Sequence, residues 1–210
     1  MARASAPLLA VFLLGMLLLL LTASSMLRAG YELETRELIL KQASLTANSI
    51  LKSVESELNS YLYWASSSVM YEVGWEEGSE NEVVEGILTR AMMLENAWKF
   101  SNVQLELHLE NLREFLHWLP DGSLEIRGFL PASAKHVMGP EAFGLRLEVS
   151  GLPRFRRLHQ LALRLSELHL TPNLIERLNE NLRAEGLQVE VLGGTMIIRD
   201  LWAHPVLVKR

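Results

Sequence analysis

The feature that most constrains this chain is an uncharged apolar run near its start, from Ala6 to Leu27, which includes an unbroken row of leucines from Leu17 to Leu21. As an α-helix rising about 1.5 Å per residue, this run can cross a bilayer core of about 30 Å. A helix in a soluble core normally keeps a polar stripe, which the run lacks. We therefore predict a transmembrane helix over residues 6–27, with the lipid bilayer as its partner, preceded by a short tail over residues 1–5.

A cleavable secretory signal is the competing interpretation. Arg3 supplies a basic start, residues 7–21 supply an apolar stretch, and residues 23–25 (Ala-Ser-Ser) offer small side chains for cleavage. The apolar run nevertheless continues through Met26 and Leu27, and no linker separates it from the next helical pattern. The pattern favours a retained signal-anchor over a cleaved signal.

The flanking charges do not fix the orientation. Arg3 lies at one end of the run, whereas Arg28, Arg36 and Lys41 follow the other end, so the count of basic residues does not favour export. Long domains cross membranes largely regardless of such charges. We predict a single-pass protein of the cell membrane with an extracytoplasmic C-terminal domain; a cytoplasmic domain is the alternative.

Residues 28–73 follow as a predicted amphipathic stalk helix. No proline or glycine occurs from Tyr31 to Val73, and apolar residues recur at helical intervals: Leu33, Leu40, Ala43, Ala47, Ile50, Val54, Leu58, Leu62, Ala65 and Val69. Ala43 and Ala47 are small enough to let another helix approach closely. The stripe fits two arrangements: a helix packed on its own domain, which is favoured, or a stalk that packs against other copies or other membrane-anchored subunits.

Residues 74–119 are predicted to be a helical segment. An acidic loop over residues 74–81 contains Gly78, which we expect to be accessible, and it lacks the ligand spacing of a calcium loop. Two capping-box patterns follow, Ser79 with Glu82 and Ser101 with Gln104. They predict one helix over about residues 80–100 and a second over residues 101–119, although residues 103–109 also alternate like a strand.

Residues 120–210 are predicted to form an α+β head. The expected extended segments are residues 124–130, 145–149, 187–191 and 196–198, with weaker candidates at 161–165, which also fits a helix, and at 202–208. Pro131 to Gly144 is predicted to be a loop. Thr171-Pro172 predicts the start of a short helix ending near Gly186, and Gly193-Gly194 predicts a hairpin turn. The predicted fold class is therefore α+β, with helices first and then a mostly antiparallel sheet with one more helix.

The sequence offers little support for catalysis or cofactor binding. It has no cysteine, none of its six histidines has a metal-ligand spacing, and no phosphate-loop, dinucleotide or serine-hydrolase motif is present. The charged residues are 25 acidic and 20 basic, with a net charge of −5 and no concentrated basic stripe, which argues against a nucleic-acid partner. We predict a protein that is not an enzyme and has no cofactor or metal.

Aromatic side chains in the stalk are the most distinctive candidate contact residues. Helical spacing places Tyr61, Trp64 and Tyr71 near one another, where they either cover the core of the domain or bind a partner. With Ala43 and Ala47 they complete the set of candidate partner-contact residues. Arg154, Arg156 and Arg157 form a basic cluster, interpreted as a solvated turn, with lipid head groups or an acidic partner as alternatives.

The layout resembles that of type IV pilin-like proteins, including minor pilins and pseudopilin-like members of archaea. The resemblance covers the first 73 residues: a short basic tail, an apolar helix and its amphipathic continuation, ahead of a β-containing head. Arg3-Ala4 before Ser5 is similar to the charged-plus-small pair at which prepilin peptidases cut, and Leu9 stands where bacterial pilins commonly have a glutamate. The resemblance implies a structural, non-enzymatic subunit.

Two hypotheses follow. In the first, the protein is a membrane-anchored extracytoplasmic structural or pilin-like subunit that acts through helix–helix and protein–protein contacts. In the second, it is a solitary tethered binding domain, or a secreted domain after signal cleavage.

Overall fold

A computed structural model of the protein describes residues 5–202 and 207–209. It confirms the predicted α+β class. Its elements are α1 (Ser5–Trp75), α2 (Glu80–Met92), β1 (Val103–Leu107), β2 (Leu116–Trp118), β3 (Leu124–His136), β4 (Glu141–Val149), α3 (Phe155–Ser166), α4 (Pro172–Leu182), β5 (Leu187–Leu192), β6 (Thr195–Asp200) and β7 (Leu207–Lys209). Short 3₁₀ helices over Leu109–Phe115 and Arg183–Glu185 complete the described chain.

Helix α1 is continuous over 71 residues, and Gly30 does not interrupt it. At about 1.5 Å per residue it is about 107 Å long. Every described side chain from residue 11 to residue 42 is exposed, whereas one face is buried from Ala43 onward. From Ala43 onward the buried face follows the predicted stripe, except that Leu51 is buried in place of Ile50; its members are Ala43, Ala47, Leu51, Val54, Leu58, Leu62, Ala65 and Val69. The predicted members Leu33 and Leu40 are exposed.

Two antiparallel sheets pack with the second half of α1. In the first sheet, β3 pairs with β4 along one side and with β1 and then β2 along the other, with a bulge between Leu130 and Ser133. In the second, the strand order is β5-β6-β7. Both sheets, α2 and α3 contribute to one hydrophobic core with α1, so α1 is part of the head and not only its support.

The predicted helix over residues 101–119 is wrong. The chain there forms β1, a 3₁₀ helix and β2, and both strands pair with β3. Val103 and Leu107 are buried while Gln104 and Glu106 are exposed, so the alternation of period two defines the structure. Pairing with β3 fixes that alternation, and this long-range contact outweighs the local leucine spacing. Helix α2 also ends earlier than predicted, at Met92.

Two further predictions in the head are wrong. The candidate strand over residues 161–165 belongs to α3, so the helical alternative holds there. The buried residues of α3 recur at helical spacing: Phe155, Leu158, Leu161, Ala162 and Leu165. The predicted loop from Pro131 to Gly144 is mostly strand, because β3 runs to His136 and β4 begins at Glu141. Pro131 is accommodated beside the bulge, where the ladder is already irregular.

The short helix and the hairpin are confirmed. Helix α4 begins at Pro172 and the following 3₁₀ turn ends at Gly186, which has a left-handed φ of 66°. The turn between β5 and β6 consists of Gly193 and Gly194, both with positive φ. Of the predicted last strand over residues 202–208, Leu207 and Val208 lie in β7, an edge strand as expected, whereas Trp202 is not in a strand; Pro205 lies outside the described residues.

The end of α1 differs from the expected open acidic loop. The Gly78 N–H donates to the Val73 carbonyl at 2.8 Å, which is the helix-ending Schellman contact, and Glu77 takes the left-handed φ of 63°. Gly78 is buried, and a Cβ there would lie 2.6 Å from the Glu82 carboxylate. The expectation that Gly78 is accessible is therefore wrong. The capping box of Ser79 and Glu82 is confirmed.

Candidate interaction surfaces

The first surface is the part of α1 that projects from the head. We call residues 11–42 the shaft, since all their described side chains are exposed. The head comes next to the shaft at the β3–β4 turn, where Met138 lines a shallow hollow together with Ile39 and Leu40. Between the end of the uncharged run and this contact, the shaft exposes further large apolar side chains, among them Tyr31, Leu33 and Leu38. The shaft contains the one described segment long and apolar enough to cross a membrane.

Ala43 and Ala47 directly follow the shaft in α1 and lie on the face that the head covers. Their side chains are 3% and 0% exposed. The small residues thus let α1 approach the head of the same chain, as in the first of the two arrangements that fit the stripe. The structure leaves this face of the helix no room for a second helix at these positions.

The aromatic candidates divide into one structural residue and one exposed face. Tyr61 is half-buried, and its hydroxyl donates to the Arg90 carbonyl at 3.2 Å, which joins α1 to α2. Trp64 and Tyr71 are exposed, and Trp75 extends the same side of the helix because the spacings are seven and four residues. We call Trp64, Tyr71 and Trp75 the aromatic face. It lies at the end of α1 farthest from the shaft.

The aromatic face also has contacts within the chain. Trp64 stands edge-on to Tyr63, with ring centroids 5.5 Å apart. The Lys209 ammonium lies 5.5 Å from the centre of the Trp75 ring, a cation–π arrangement that joins β7 to α1.

Side chains of α1 close the outer edge of β4, a feature that the sequence pattern did not predict. The Arg146 N–H donates to the Glu55 carboxylate at 2.7 Å, and the Asn59 amide donates to the Arg146 carbonyl at 2.9 Å. The Glu148 N–H donates to the Asn59 side-chain oxygen, also at 2.9 Å. These bonds replace those of a missing neighbouring strand, so they both protect the edge and fix the position of the head along α1.

The second sheet is closed in the same manner. Asn179 of α4 donates to the Val189 carbonyl at 2.9 Å and accepts from the Val189 N–H at 2.8 Å. Next to this contact a groove of about 770 Å³ separates α4 from β5, with an apolar floor that includes Ile175 and a rim that includes Glu176 and Glu180. The asparagines on the predicted helices gave no signal of either contact, because the partner groups are backbone atoms of another element, 10 residues away for Asn179 and 87 to 89 residues away for Asn59.

The arginine cluster is a structural junction and not a solvated turn. Arg154 forms a two-pronged ion pair with Asp200, at 2.8 and 2.7 Å, and stacks on the Trp202 ring at 4.8 Å. Burial alone would raise the pKa of Asp200, but hydrogen bonds from Arg154 and from the Trp202 N–H outweigh burial and hold that pKa below its usual value. The Asp200 hydrogen bonds correspondingly raise the pKa of Arg154.

The other two arginines are also paired within the chain. Arg156 lies 3.1 Å from Glu80 at the start of α2, and Arg157 binds Glu185 at 3.0 Å. Each guanidinium thus has a carboxylate partner from a different segment. The cluster is accordingly committed to joining those segments within the chain, and this argues against lipid head groups or an acidic partner as its ligand.

A further ion pair joins the first two helices. Arg90 of α2 lies 2.5 Å from Glu72 of α1, and this hydrogen bond lowers the pKa of the Glu72 carboxyl. The serines beside it have local roles: the Ser67 hydroxyl donates to the Tyr63 carbonyl and the Ser68 hydroxyl to Glu72. Ser66 is fully buried. In the described part of the chain no group of three His, Asp or Glu residues is placed to hold a metal ion.

Comparisons with known proteins add no relative: no protein-family model, no curated protein and no solved structure matches this chain.

Proposed function

We propose that this protein is a single-pass membrane-anchored structural subunit whose α+β head is extracytoplasmic and acts through protein–protein contacts. The observation that carries the proposal is the contrast along α1. Its uncharged first part is exposed all round, whereas its second part is built into the core of the head. A bilayer is the environment in which such a run of leucines is stable.

The continuity of α1 supports a retained anchor over a cleaved signal. The helix passes without a break through residues 23–25, the candidate cleavage site, and on into the head. A retained helix would hold the head in a fixed orientation relative to the membrane, because hydrogen bonds of Glu55 and Asn59 join β4 to α1. Such a rigid connection suits a subunit that must present a surface at a defined height.

The ion pairs support a structural role over an enzymatic one. The carboxylates whose pKa is lowered, Glu72 and Asp200, are each engaged by an arginine of the same chain. Perturbed groups of this kind stabilise a fold when they lie in paired junctions. Exposed aromatic side chains, as in the aromatic face, are typical of protein contact surfaces.

Membrane extraction and cysteine labelling test the proposal together. The chain has no cysteine, so a single Glu76→Cys substitution places one thiol at an exposed position after α1. We expect the protein to stay in the membrane fraction after alkaline carbonate washing, and the thiol to react in intact cells with a membrane-impermeant maleimide. Ala91→Cys, at a fully buried position, is the control and should react only after denaturation.

Each outcome has a defined meaning. Release by carbonate, or a mature protein beginning near Met26, would replace the anchor by a cleaved signal. Labelling of Glu76→Cys only after cell lysis would place the head in the cytoplasm. A pilin-like subunit is the narrower form of the proposal, and it requires in addition that the tail be cut next to Ala4 and that the protein be recovered in filaments.

A further inference from the structure

One short stretch of sheet edge in the head has no partner. Strand β5 is an edge strand of the second sheet, and its outer side faces α4, where Asn179 bonds both the N–H and the C=O of Val189. Backbone groups of alternate residues point the same way along a strand, so those of Val191 also point away from β6. In the described part of the chain neither of these Val191 groups forms a hydrogen bond. We call this position the Val191 edge.

The pairing of β5 with β6 gives the same orientation. Leu192 and Thr195 flank the two-glycine turn, and in a two-residue hairpin the flanking residues exchange hydrogen bonds. Hydrogen-bonded and non-hydrogen-bonded pairs alternate along an antiparallel ladder, so Val191 and Met196 form a non-hydrogen-bonded pair. The N–H and C=O of Val191 are therefore free to bond a strand on the outer side of β5.

Two hollows meet at the Val191 edge, one on each face of the sheet. The groove between α4 and β5 is lined by Glu190 and Leu192, whereas a second hollow of about 460 Å³ is lined by Met196 and the end of α3. Side chains alternate along a strand, so Glu190 and Leu192 point to one face and Val191, with its register partner Met196, to the other. Leu170 and Val191 line both hollows.

This arrangement selects an extended backbone as the occupant. A strand added at the Val191 edge would exchange two backbone hydrogen bonds with Val191 and would direct successive side chains to opposite faces, one into each hollow. A helix bonds its own backbone groups and would leave those of Val191 unpaired. Leu168 and Leu192 are exposed beside the two hollows and would be covered by such a strand.

The charges of the groove favour a basic side chain. Glu176 and Glu180 lie one turn apart on α4, both are exposed, and neither forms an ion pair with any described residue. Glu190 is paired with Arg199 at 3.1 Å. Three carboxylates and one guanidinium, that of Arg183, line the groove, so it carries an excess of negative charge. The second hollow has a mostly apolar lining and suits an apolar side chain.

We propose that the Val191 edge binds an extended segment of a partner protein in which a lysine or arginine stands next to an apolar residue. The basic side chain lies in the groove with its charge near Glu176 and Glu180, and the apolar side chain fills the second hollow. This inference rests on the proposed function, because it specifies one of the protein–protein contacts through which the head acts.

Binding of a defined peptide to the full-length protein in non-ionic detergent tests the charge preference. The probe is a fluorescein-labelled, capped hexapeptide in which lysine and valine alternate; a glutamate and valine hexapeptide is its control. We expect the lysine peptide to bind at least about ten-fold more tightly, as measured by fluorescence anisotropy. Glu176→Lys combined with Glu180→Lys should reverse this preference. Glu141→Lys, at an exposed position in the first sheet, should preserve it.

Changes in the probe separate strand pairing from charge attraction without altering the protein. N-methylation of either the lysine amides or the valine amides removes the N–H donors along one edge of the peptide, and only one edge can pair with Val191. We expect one of the two methylated peptides to bind about ten-fold more weakly and the other to bind as before.

Three results would overturn the proposal: no binding of the lysine peptide, equal affinity for the two charges, or unchanged binding of both methylated peptides. Carbonate extraction of the same protein from its membrane is an independent measurement. A carbonate-resistant protein that fails to bind the peptide refutes the Val191 edge alone, whereas a protein that is released by carbonate and still binds the peptide refutes the membrane anchor alone.

Discussion

The two parts of α1 differ in what surrounds them, although they form one uninterrupted helix. From residue 11 to 42 the helix is exposed on every side, and from Ala43 to Trp75 it buries a continuous face in the head. Helix propensity does not distinguish the parts. The difference is one of tertiary contact: strands and helices of the same chain cover the second part, whereas the first part must find a bilayer or another chain.

This contrast explains why one periodic pattern had two possible meanings. The stripe through Ala47 and Leu58 looks the same whether its partner is the head or another helix. The head takes that stripe from Ala43 onward, so at those positions the stripe is not free to contact another copy. Substitutions that affect one part of α1 and leave the other unchanged therefore test whether the two parts have different surroundings.

The largest expected effect is on the packed part. Replacing Ala47 by Asp would place an unpaired carboxylate at a fully buried position, which costs about 3 to 5 kcal/mol of unfolding free energy. Lys52→Asp, at an exposed position five residues later, should change it by no more than about 0.5 kcal/mol. Urea unfolding of the detergent-solubilised protein, followed by tryptophan fluorescence, measures both. Coincident midpoints would show that the stripe is not buried.

The next effect is on the exposed part. Leu17→Arg puts a charge near the middle of the predicted span, which costs about 2.5 to 3.5 kcal/mol for insertion. We expect the carbonate-resistant membrane fraction to fall sharply. Gln42→Arg adds the same side chain at the upper end of the shaft and should leave that fraction unchanged. Full retention of the Leu17→Arg protein would remove residues 6–27 as the membrane span.

Loss of the hydrogen bonds between α1 and β4 should have a smaller effect on stability, confined to the head. Asn59→Ala removes two hydrogen bonds to the β4 backbone and should lower the unfolding free energy by about 1 to 3 kcal/mol. Asn48→Ala is the matched control, because the Asn48 amide binds only the Ser44 carbonyl one turn earlier. An equal loss in both variants would indicate a general helix effect in place of edge closure.

The parts of this fold that local signals specify were predictable from the sequence. The uncharged run, the stripe of α1, the capping box at Ser79 and the Gly193-Gly194 hairpin each depend on neighbouring residues. Apart from the burial of Gly78, which depends on its neighbours Val73 and Glu82, the errors arose where contact with a distant segment determines the structure. Residues 103–107 form a strand because β3 lies beside them, and Leu161 and Leu165 are in a helix because both face the core.

In the candidate surfaces, too, contacts with distant segments were not predictable. The helical spacing of Trp64 and Tyr71 is consistent with their exposure. The hydrogen bond from Tyr61 to the Arg90 carbonyl forms only because α2 lies alongside α1. The arginine cluster gave no sign of its carboxylate partners, since Asp200 is 46 residues away from Arg154. These contacts could not be predicted from the sequence because the partners are far apart along the chain, although each contact is an ordinary hydrogen bond or ion pair.

Acid should weaken the head and spare the anchor. The Asp200 pKa in the folded protein lies below the value of about 3.9 expected in the unfolded chain. The ion pair with Arg154 therefore contributes fully above that value, and its contribution is lost as the pH falls through the lowered pKa. We expect the urea midpoint to fall between neutral pH and pH 3, with a smaller fall for Asp200→Asn, while membrane retention stays constant. Identical pH profiles would exclude Asp200 as a source of acid sensitivity.

The smallest expected effect marks the point where the packed part of α1 ends. Glu77 has a φ of 63°, the left-handed conformation in which a side chain is strained and glycine is not. The structure needs that conformation, because it lets the Gly78 N–H reach the Val73 carbonyl. Glu77→Gly should therefore raise the unfolding free energy by up to about 1 kcal/mol, despite the greater freedom glycine gives the unfolded chain. Glu76→Gly, at a neighbouring position without positive φ, should bring no gain. Thermal melting of the two variants side by side decides the matter: a higher melting temperature for Glu76→Gly than for Glu77→Gly would mean that the helix ends differently, and the boundary between α1 and α2 would need to be redrawn.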